Sequence, residues 1–204
     1  MSDLDETSEA TAEAPARKRP RPGERRLQIL QTLASMLEQP GAERVTTASL
    51  AGKIGVSEAA LYRHFASKAQ MFEGLIDFVD QSVVGLIRQV TDREAPGPNQ
   101  AARIVALLLQ FAEKNPGMCR VMTGDALVLE NERLQERINL LFDKIEAQLR
   151  QSLKVSDSNT PTADAQVAAS VLVAFMQGRL QRFVRSGFKR QPSEHLQAAL
   201  ARIL

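Results

Sequence analysis

The feature that most constrains this chain is a pair of short helical segments separated by a single glycine, between Thr46 and His64. The apolar residues of the first segment follow the 3.6-residue period of one helix face up to Ile54. Gly55 then permits the left-handed backbone of a tight turn, and Ser57 caps the second segment. The pattern predicts a helix-turn-helix whose two helices pack closely.

The outward side of the second helix is short and polar, which suits the major groove of DNA. Hydroxyl groups at both helix starts lie where phosphate can bind free backbone N–H groups. Thr46 also fits a helix cap alone, and Tyr62 fits a half-buried structural residue. Arg63 fits a base or a phosphate contact, and His64 fits a surface histidine. The residues predicted to contact DNA here are Thr46, Thr47, Ser57, Ala59, Tyr62, Arg63, His64 and Lys68.

The charge changes sign abruptly near the N-terminus. Residues 1–16 carry five acidic residues and no basic one, whereas residues 17–26 carry six basic residues and one acid. The acidic tail has almost no bulky apolar side chain, which predicts disorder. Prolines oppose helix formation in the basic stretch, so we interpret it as a flexible arm in which Arg17, Lys18 and Arg19 contact DNA. A solubilising tail is the alternative.

Helical periodicity continues along the rest of the chain, and no useful length alternates with period 2. The chain has 204 residues, 44% of them hydrophobic and 25% charged, so we expect a soluble all-α protein with one large core or two small ones. The predicted helices span 24–37, 46–54, 58–65, 68–90, 99–115, 118–123, 130–153, 164–187 and 193–204.

Several classes of protein are disfavoured. No apolar run approaches the length of a membrane span, and the N-terminus lacks the pattern of a secretory signal, so the cytoplasm is the expected compartment. The single cysteine, Cys119, cannot form an internal disulfide and is predicted to be buried. His64 and His195 lie in unrelated contexts, and nothing predicts a catalytic group, a metal site or a cofactor.

The helices after the motif carry a second candidate surface. Met71 and Phe78 lie off the centre of the apolar stripe of their helix, and Leu107 lies near basic and polar residues on the next one. Side by side, these helices would form a groove with an apolar floor and a basic rim at Lys114, suited to a peptide with hydrophobic and acidic residues. Packing of the same three apolar residues inside the protein is the alternative.

Two further uses of the C-terminal part are open. A ligand pocket would need aromatic lining, and Phe111, Phe142, Phe175 and Phe183 are the candidates, although at helical spacing phenylalanines more often belong to a core. The long helices also carry enough apolar positions for a helical dimer face. Those positions are Leu134, Ile138, Leu141, Ile145, Leu149, Val167, Val171, Ala174, Phe175 and Leu180.

The motif resembles the N-terminal signature of the TetR family over residues 27–75. The matching residues are Thr46-Thr47, Leu50-Ala51, Gly55-Val56-Ser57, Leu61-Tyr62, Phe65 and Ser67-Lys68. The resemblance implies three DNA-binding helices, a helical regulatory domain and a two-fold dimer that binds palindromic sites. Many members of the family respond to a small ligand. The resemblance therefore implies a ligand-responsive repressor as the alternative function.

Further stretches resemble one branch of that family, the nucleoid occlusion factors. They are Lys114-Asn115-Pro116-Gly117, 132–139, 145–151 and 182–189. This resemblance implies that the C-terminal tail of the division protein FtsZ lies between the helices that carry Met71, Phe78, Leu107, Lys114 and Asn115, and that the DNA-bound protein antagonises Z-ring assembly. We expect a tail and arm at 1–23, a DNA-binding domain at 24–67, and a dimerisation and partner-binding domain at 68–204. The acidic tail is longer than this branch leads us to expect, and the number of dimers per site stays open.

Overall fold

The computed structural model describes residues 22–39, 45–128, 130, 132–154 and 162–204, and every regular element in these ranges is helical. This confirms the all-α prediction. The acidic tail and the arm residues Arg17, Lys18 and Arg19 lie outside the described residues. The helices are α1 (Pro22–Leu37), α2 (Thr47–Ile54), α3 (Glu58–Tyr62), α4 (Lys68–Thr91), α5 (Pro98–Lys114), α6 (Pro116–Met122), α7 (Glu132–Leu153), α8 (Thr162–Arg185) and α9 (Leu196–Ile203).

Most helix boundaries agree with the prediction to within a few residues, and proline explains two of the differences. α1 begins at Pro22, before the predicted start, because proline fits the first turn of a helix without losing a needed N–H group. Pro116 likewise begins α6, although the sequence pattern marked it only as the end of α5. α3 is shorter than predicted and ends at Tyr62, so that the following turn brings Phe65 into the core.

The helix-turn-helix is built on a core that continues into the rest of the protein. Ile29 and Leu33 of α1 pack with Leu50 of α2 and Leu61 of α3, and all four are buried. The buried side of α4 belongs to the same cluster, which extends through α5, α7 and α8. α4 therefore serves both the small three-helix head and the larger C-terminal part, and the division at 67/68 stays a prediction.

A close approach of α6 to α1 joins the two parts a second time. A Cβ atom at Gly117 would lie 2.0 Å from the backbone oxygen of Ala34, so only glycine fits there. Next to this contact, the buried Arg120 donates a hydrogen bond of 3.3 Å to the carbonyl of Gln39, at the end of α1. Its Nε lies 3.3 Å from Asp125 Oδ2. The arginine thus ties α6 to the end of α1.

Ion pairs line the contact between α4 and α7, which run parallel. Glu73 pairs with Arg133, Asp77 pairs with Arg137, and Lys144 Nζ lies 3.0 Å from a carboxylate oxygen of Asp80. Most of these side chains are substantially exposed, so each pair adds little stability on its own. Their regular spacing sets the register between the two helices.

α7 and α8 pack as an antiparallel pair, and this corrects part of the predicted dimer face. Gln166 of α8 bonds to Glu146 and Arg150 of α7 near the turn between them. The residues of α7 that were predicted at the dimer face are buried within the single chain, as is Leu180 of α8, and cannot face a partner. The α7 residues are Leu134, Ile138, Leu141, Ile145 and Leu149. On α8, by contrast, Val167 is 63% exposed, and Val171 and Ala174 also face outward.

The phenylalanines and the cysteine belong to the core. Phe142 and Phe183 are buried, and Phe111 and Phe175 are partly buried against the same cluster. Cys119 is fully buried, as predicted, and burial raises the pKa of its thiol from 9.0 to about 12. It therefore stays protonated and serves as packing. Among the described helices, none combines the length and the apolar character needed to cross a bilayer.

Candidate nucleic-acid interface and partner surface

The start of α2 is fixed by a reciprocal capping box. Thr46 has an extended backbone, and its Oγ1 accepts a hydrogen bond of 3.1 Å from the backbone N–H of Ser49. The Ser49 hydroxyl oxygen accepts from the Thr46 N–H at 3.1 Å in return. Thr46 is thus a helix cap and is also exposed. Both properties suit a residue that holds a helix N-terminus against a phosphate.

Thr47 links the two helices of the motif. Its Oγ1 donates a hydrogen bond of 2.6 Å to Glu58 Oε2, in the first turn of α3. At the other side of the turn, Gly55 adopts φ +78° and closes α2 through bonds to Ala51 and Gly52. The sequence pattern predicted the turn but not the role of Glu58, because a carboxylate eleven residues away has no recognisable spacing signal.

The outward face of α3 and its two ends carry four of the predicted DNA contacts, Ser57, Ala59, Tyr62 and Arg63. Ser57 caps the helix through a 3.2 Å bond from the N–H of Ala60. Ala59 and Arg63 are exposed, and Tyr62 is 46% exposed, so its ring is accessible on the outward side while the half-buried alternative stays open. A short helix with a small residue, an aromatic ring and a guanidinium on its free side has the dimensions of a major-groove reader.

Arg26 holds the end of this helix and was missed as a site residue. Its Nη1 donates a hydrogen bond of 2.8 Å to the carbonyl of His64. Its guanidinium also lies over the ring of Phe65. Arg26 is one of the six basic residues of the stretch 17–26. In the structure, however, it belongs to α1 and supports α3 from within the three-helix head. The side chain of His64 is only partly exposed.

Lys68 differs from its predicted role as a free phosphate contact. Its Nζ pairs with Glu130, just before α7, and lies 5.6 Å from the centre of the Phe72 ring. A phosphate would have to replace Glu130 as its partner. The phosphate contact stays a prediction. The ion pair with Glu130 holds the Lys68 ammonium group against the protein.

The second candidate surface lies where α4 and α5 pack, an antiparallel pair joined by the turn after Thr91. Phe78 is 40% exposed, which is unusual for a side chain of its size. Leu107 is half-buried against the core, and Lys114 is exposed at the end of α5. Asn115 donates a hydrogen bond of 2.7 Å from Nδ2 to the carbonyl of Phe111.

One member of the predicted surface is corrected. Met71 is 0% exposed and packs in the core, so the alternative of inside packing holds for this residue. Its position on α4 is covered because α1 also packs against this part of the helix: Leu30 of α1 lies 3.2 Å from a Cβ position at Gly74. The remaining candidates are Phe78, Leu107, Lys114 and Asn115.

A three-helix head with a helix-turn-helix, joined through α4 to a larger helical part, defines a two-part DNA-binding regulator. Among the described residues, no group of three or more metal-binding side chains comes together. The family profile of bacterial regulatory proteins of the tetR family matches residues 29–75. An SlmA-like profile, described as a tetracyclin repressor-like C-terminal domain, matches residues 99–202.

Curated relatives place the chain more narrowly. It is 50% identical over 177 residues to the nucleoid occlusion factor SlmA of Vibrio vulnificus strain YJ016, covering 85% of this chain and 90% of the relative. It is 48% identical over 173 residues to SlmA of Alteromonas mediterranea, covering 83% and 89%. The chain belongs to the TetR family of bacterial regulatory proteins, within the group of the nucleoid occlusion factor SlmA.

Solved structures agree with the fold. The TetR family transcriptional regulator PfmR from Thermus thermophilus superposes with a TM-score of 0.68 at 20% identity, over 87% of this chain and 94% of that one. A TetR transcriptional regulator from Legionella pneumophila gives a TM-score of 0.70 at 13% identity, over 87% and 95%. At these identities the likeness concerns the fold alone.

Proposed function

We propose that the protein is a nucleoid occlusion factor that, as a dimer on palindromic chromosomal sites, binds the C-terminal tail of FtsZ and antagonises Z-ring assembly over the nucleoid. It would act in the cytoplasm at the nucleoid, without catalysis. The observation that carries the proposal is the 50% identity to SlmA over 85% of the chain. That identity spans both the reading head and the helices of the second surface.

The head supports the DNA part of the proposal. The Thr46 cap presents the N-terminus of α2, which is favourable for phosphate. Tyr62 and Arg63 lie on the free side of α3, where guanidinium groups read guanine or phosphate. Arg17, Lys18 and Arg19 would add phosphate contacts from the arm, and Lys68 would do so after leaving Glu130.

The exposed ring of Phe78 supports the partner part of the proposal. The aromatic side chain of Phe78 on α4 is two-fifths exposed, and Leu107 on α5 is half-buried, so both offer apolar surface to a peptide. Lys114 supplies positive charge at the edge, which complements an acidic peptide. Asn115 uses its Nδ2 to bond to Phe111, and its amide oxygen can accept a hydrogen bond from a peptide N–H.

The exposed line of α8 supports the dimer. Val167, Val171 and Ala174 recur at helical spacing, and a Cβ at Gly178 would meet nothing within 4 Å in the single chain. Small and branched residues in such a line let a symmetry-related helix approach closely. A two-fold dimer built here would present two α3 helices to one palindrome.

A direct test measures both activities with one protein. DNA sites are first selected from a random duplex pool with the full-length chain. Binding of the FtsZ tail peptide and scattering by FtsZ polymers are then followed with and without the selected duplex. The proposal expects peptide binding and loss of polymers when DNA is present. Absence of peptide binding, combined with release of DNA by a small molecule, would instead establish a ligand-responsive repressor.

Paired variants separate the two surfaces. Tyr62→Ala and Thr46→Ala should weaken DNA binding and leave binding of the FtsZ peptide by the dimer intact. Phe78→Ser and Lys114→Glu should do the reverse. Val84→Ser is the matched control for Phe78, because Val84 is similarly exposed but lies on another side of α4. Lys154→Glu is the matched control for Lys114→Glu, because Lys154 is also an exposed lysine at the end of a helix, in this case α7. Equal losses in Phe78→Ser and Val84→Ser would contradict a specific partner surface.

A further inference from the structure

An open concavity of about 620 Å³ lies at the turn between α8 and α9. It belongs neither to the proposed DNA-binding surface nor to the proposed partner surface at Phe78. Its lining residues are Arg182, Lys189, Arg190, Gln191, Ser193 and Glu194. Three cations thus face one carboxylate. Arg179 adds a fourth positive charge nearby, because its Nη1 donates a 2.8 Å hydrogen bond to the backbone oxygen of Glu194.

The three lining cations have no partner for their charge within the part of the chain that the structure describes. No side-chain hydrogen bond or ion pair is formed there by Arg182, Lys189 or Arg190. The Glu194 carboxylate lies 3.8 Å from Nε2 of His195 instead. Three positive charges against one carboxylate leave the lining net positive, and such an arrangement attracts anions.

The turn that carries these cations is rigid at its first end. Ser186 Oγ accepts hydrogen bonds from the backbone N–H groups of Lys189 and Arg190, at 3.1 and 2.9 Å, and donates one to the carbonyl of Phe183 at 2.9 Å. The ring of Phe188 packs on Phe183, with a centroid distance of 5.1 Å. These bonds fix the backbone from which the Lys189 and Arg190 side chains extend.

The second end of the turn is held to α5. The backbone N–H of Ser193 donates a 2.7 Å hydrogen bond to Glu113 Oε1, and the Ser193 hydroxyl bonds to the same oxygen. Within the described residues, Glu113 forms no ion pair with Arg182, Lys189 or Arg190. A site that is organised in advance loses less conformational entropy when a ligand binds.

We propose that this concavity binds a nucleoside polyphosphate. Guanidinium groups bind phosphate oxygens in pairs, and a lysine adds a point charge, so Arg182, Lys189 and Arg190 suit two or three linked phosphates. Glu194 and Gln191 offer acceptors for sugar hydroxyls or a base amino group. The volume lies within the range of small-molecule sites and exceeds the needs of a single phosphate.

The site is separate from the exposed line of α8. Arg182 lies eight residues after Ala174, which places it about 12 Å further along the helix. The exposed line and the concavity therefore occupy successive parts of α8. The proposal stands independently of DNA binding and of FtsZ.

Isothermal titration calorimetry of the full-length protein with ATP tests the proposal, with adenosine and inorganic triphosphate as comparison ligands. ATP should bind with a stoichiometry of one per chain, more tightly than triphosphate, and adenosine should not bind. Arg190→Glu and Arg182→Glu should each weaken ATP binding by about tenfold or more, since each removes one charge-assisted contact and adds repulsion. Arg202→Glu, an exposed α9 arginine outside the concavity, should bind ATP normally.

Tyr62→Ala distinguishes this site from the DNA-binding head and should leave ATP binding unchanged. Loss of ATP binding in Tyr62→Ala but not in Arg190→Glu would place the nucleotide at the head and overturn the proposal. No saturable binding at low ionic strength, or equal affinity for ATP and inorganic triphosphate, would overturn it as well. Circular dichroism of each variant checks that the helices are intact.

Discussion

The guanidinium of Arg26 lies 4.1 Å from the centre of the Phe65 ring while it donates a hydrogen bond to the carbonyl of His64. The Phe65 ring is buried beneath the guanidinium, and His64 lies in the turn that follows α3. Arg26 therefore contacts both the core of the head and the end of the DNA-reading helix. The angle of the reading helix is therefore set in part by a residue of α1. Arg26 is a positioning residue, and its loss should act on DNA through α3.

Arg26→Ala should lower DNA affinity by roughly five- to thirtyfold, because a hydrogen bond and a cation–π contact together contribute about 1–2 kcal/mol. Fluorescence anisotropy with a selected duplex measures the change. Arg25→Ala is the matched control, since Arg25 bonds only within α1, to Gln28. FtsZ peptide binding should be unaffected. If both variants lose the same affinity, the two arginines act simply as charges.

Cys119 should make stability depend on alkaline pH. Its pKa is about 12 in the folded chain and 9.0 in the reference state, so between these values only the unfolded chain releases the proton. The free energy of unfolding should fall by about 1.4 kcal/mol per pH unit as pH rises through this window, and the contribution is fully present below pH 9. Urea titrations of the native chain and Cys119→Ala measure it. The variant should show a smaller slope, and identical slopes would contradict the burial.

Gly117→Ala should destabilise the protein strongly. The added Cβ would meet the Ala34 backbone oxygen, and backbone cannot move aside as a flexible side chain can. Overpacking of this kind typically costs about 1–3 kcal/mol. Gly85→Ala is the control, because nothing lies within 4 Å of its Cβ position on α4 and alanine favours the helix. Thermal denaturation should therefore show opposite shifts for the two variants. Similar shifts would argue against the close contact of α6 with α1.

Val171→Glu should break the dimer proposed on α8. A charge in the middle of an apolar line is unfavourable to bury, so light scattering should report a monomer of 22.5 kDa at concentrations where the native chain is dimeric. Affinity for a palindrome should fall towards that for one half-site. Val128→Glu alters another exposed valine outside α8 and should remain dimeric. Loss of dimer in both variants would point to unfolding.

Removal of residues 1–21 tests the basic arm. Each phosphate neutralised by the arm contributes about −0.9 to the slope of log affinity against log salt concentration. The truncated chain should show a shallower slope and weaker binding at low salt. Reversing the charges of Asp3, Asp5 and Glu6 instead should leave the slope nearly unchanged or steeper. An unchanged slope after truncation would mean that the arm makes no phosphate contact.

The local features of the fold could be predicted because they depend on neighbouring residues. Thr46 and Ser57 cap the two helices that their positions predicted, and Ser67 caps α4, each by accepting a bond from the N–H three residues later. Gly55 closes α2 in the left-handed conformation for the same local reason. Such contacts are encoded within one turn of the chain, and periodicity locates them.

Contacts between distant residues could not be predicted. Lys68 pairs with Glu130, sixty-two residues away, which no spacing rule connects. Met71 is covered because α1 lies against α4, and the amphipathic pattern of α4 alone cannot tell which of its edges is covered. The apolar α7 residues were predicted to form a dimer face, but an internal contact with α8 requires the same apolar stripe. Only the three-dimensional packing decides between these uses.

The continuous core through α4 has a consequence for genetics. Because the head shares its buried side chains with the C-terminal helices, heating should melt both in one cooperative transition. Substitutions far from α3 that loosen this core will then abolish repression or occlusion in cells by depleting the folded protein. A screen for lost DNA binding should return many positions in α5, α7 and α8, and protein abundance is the measurement that separates them from true contacts.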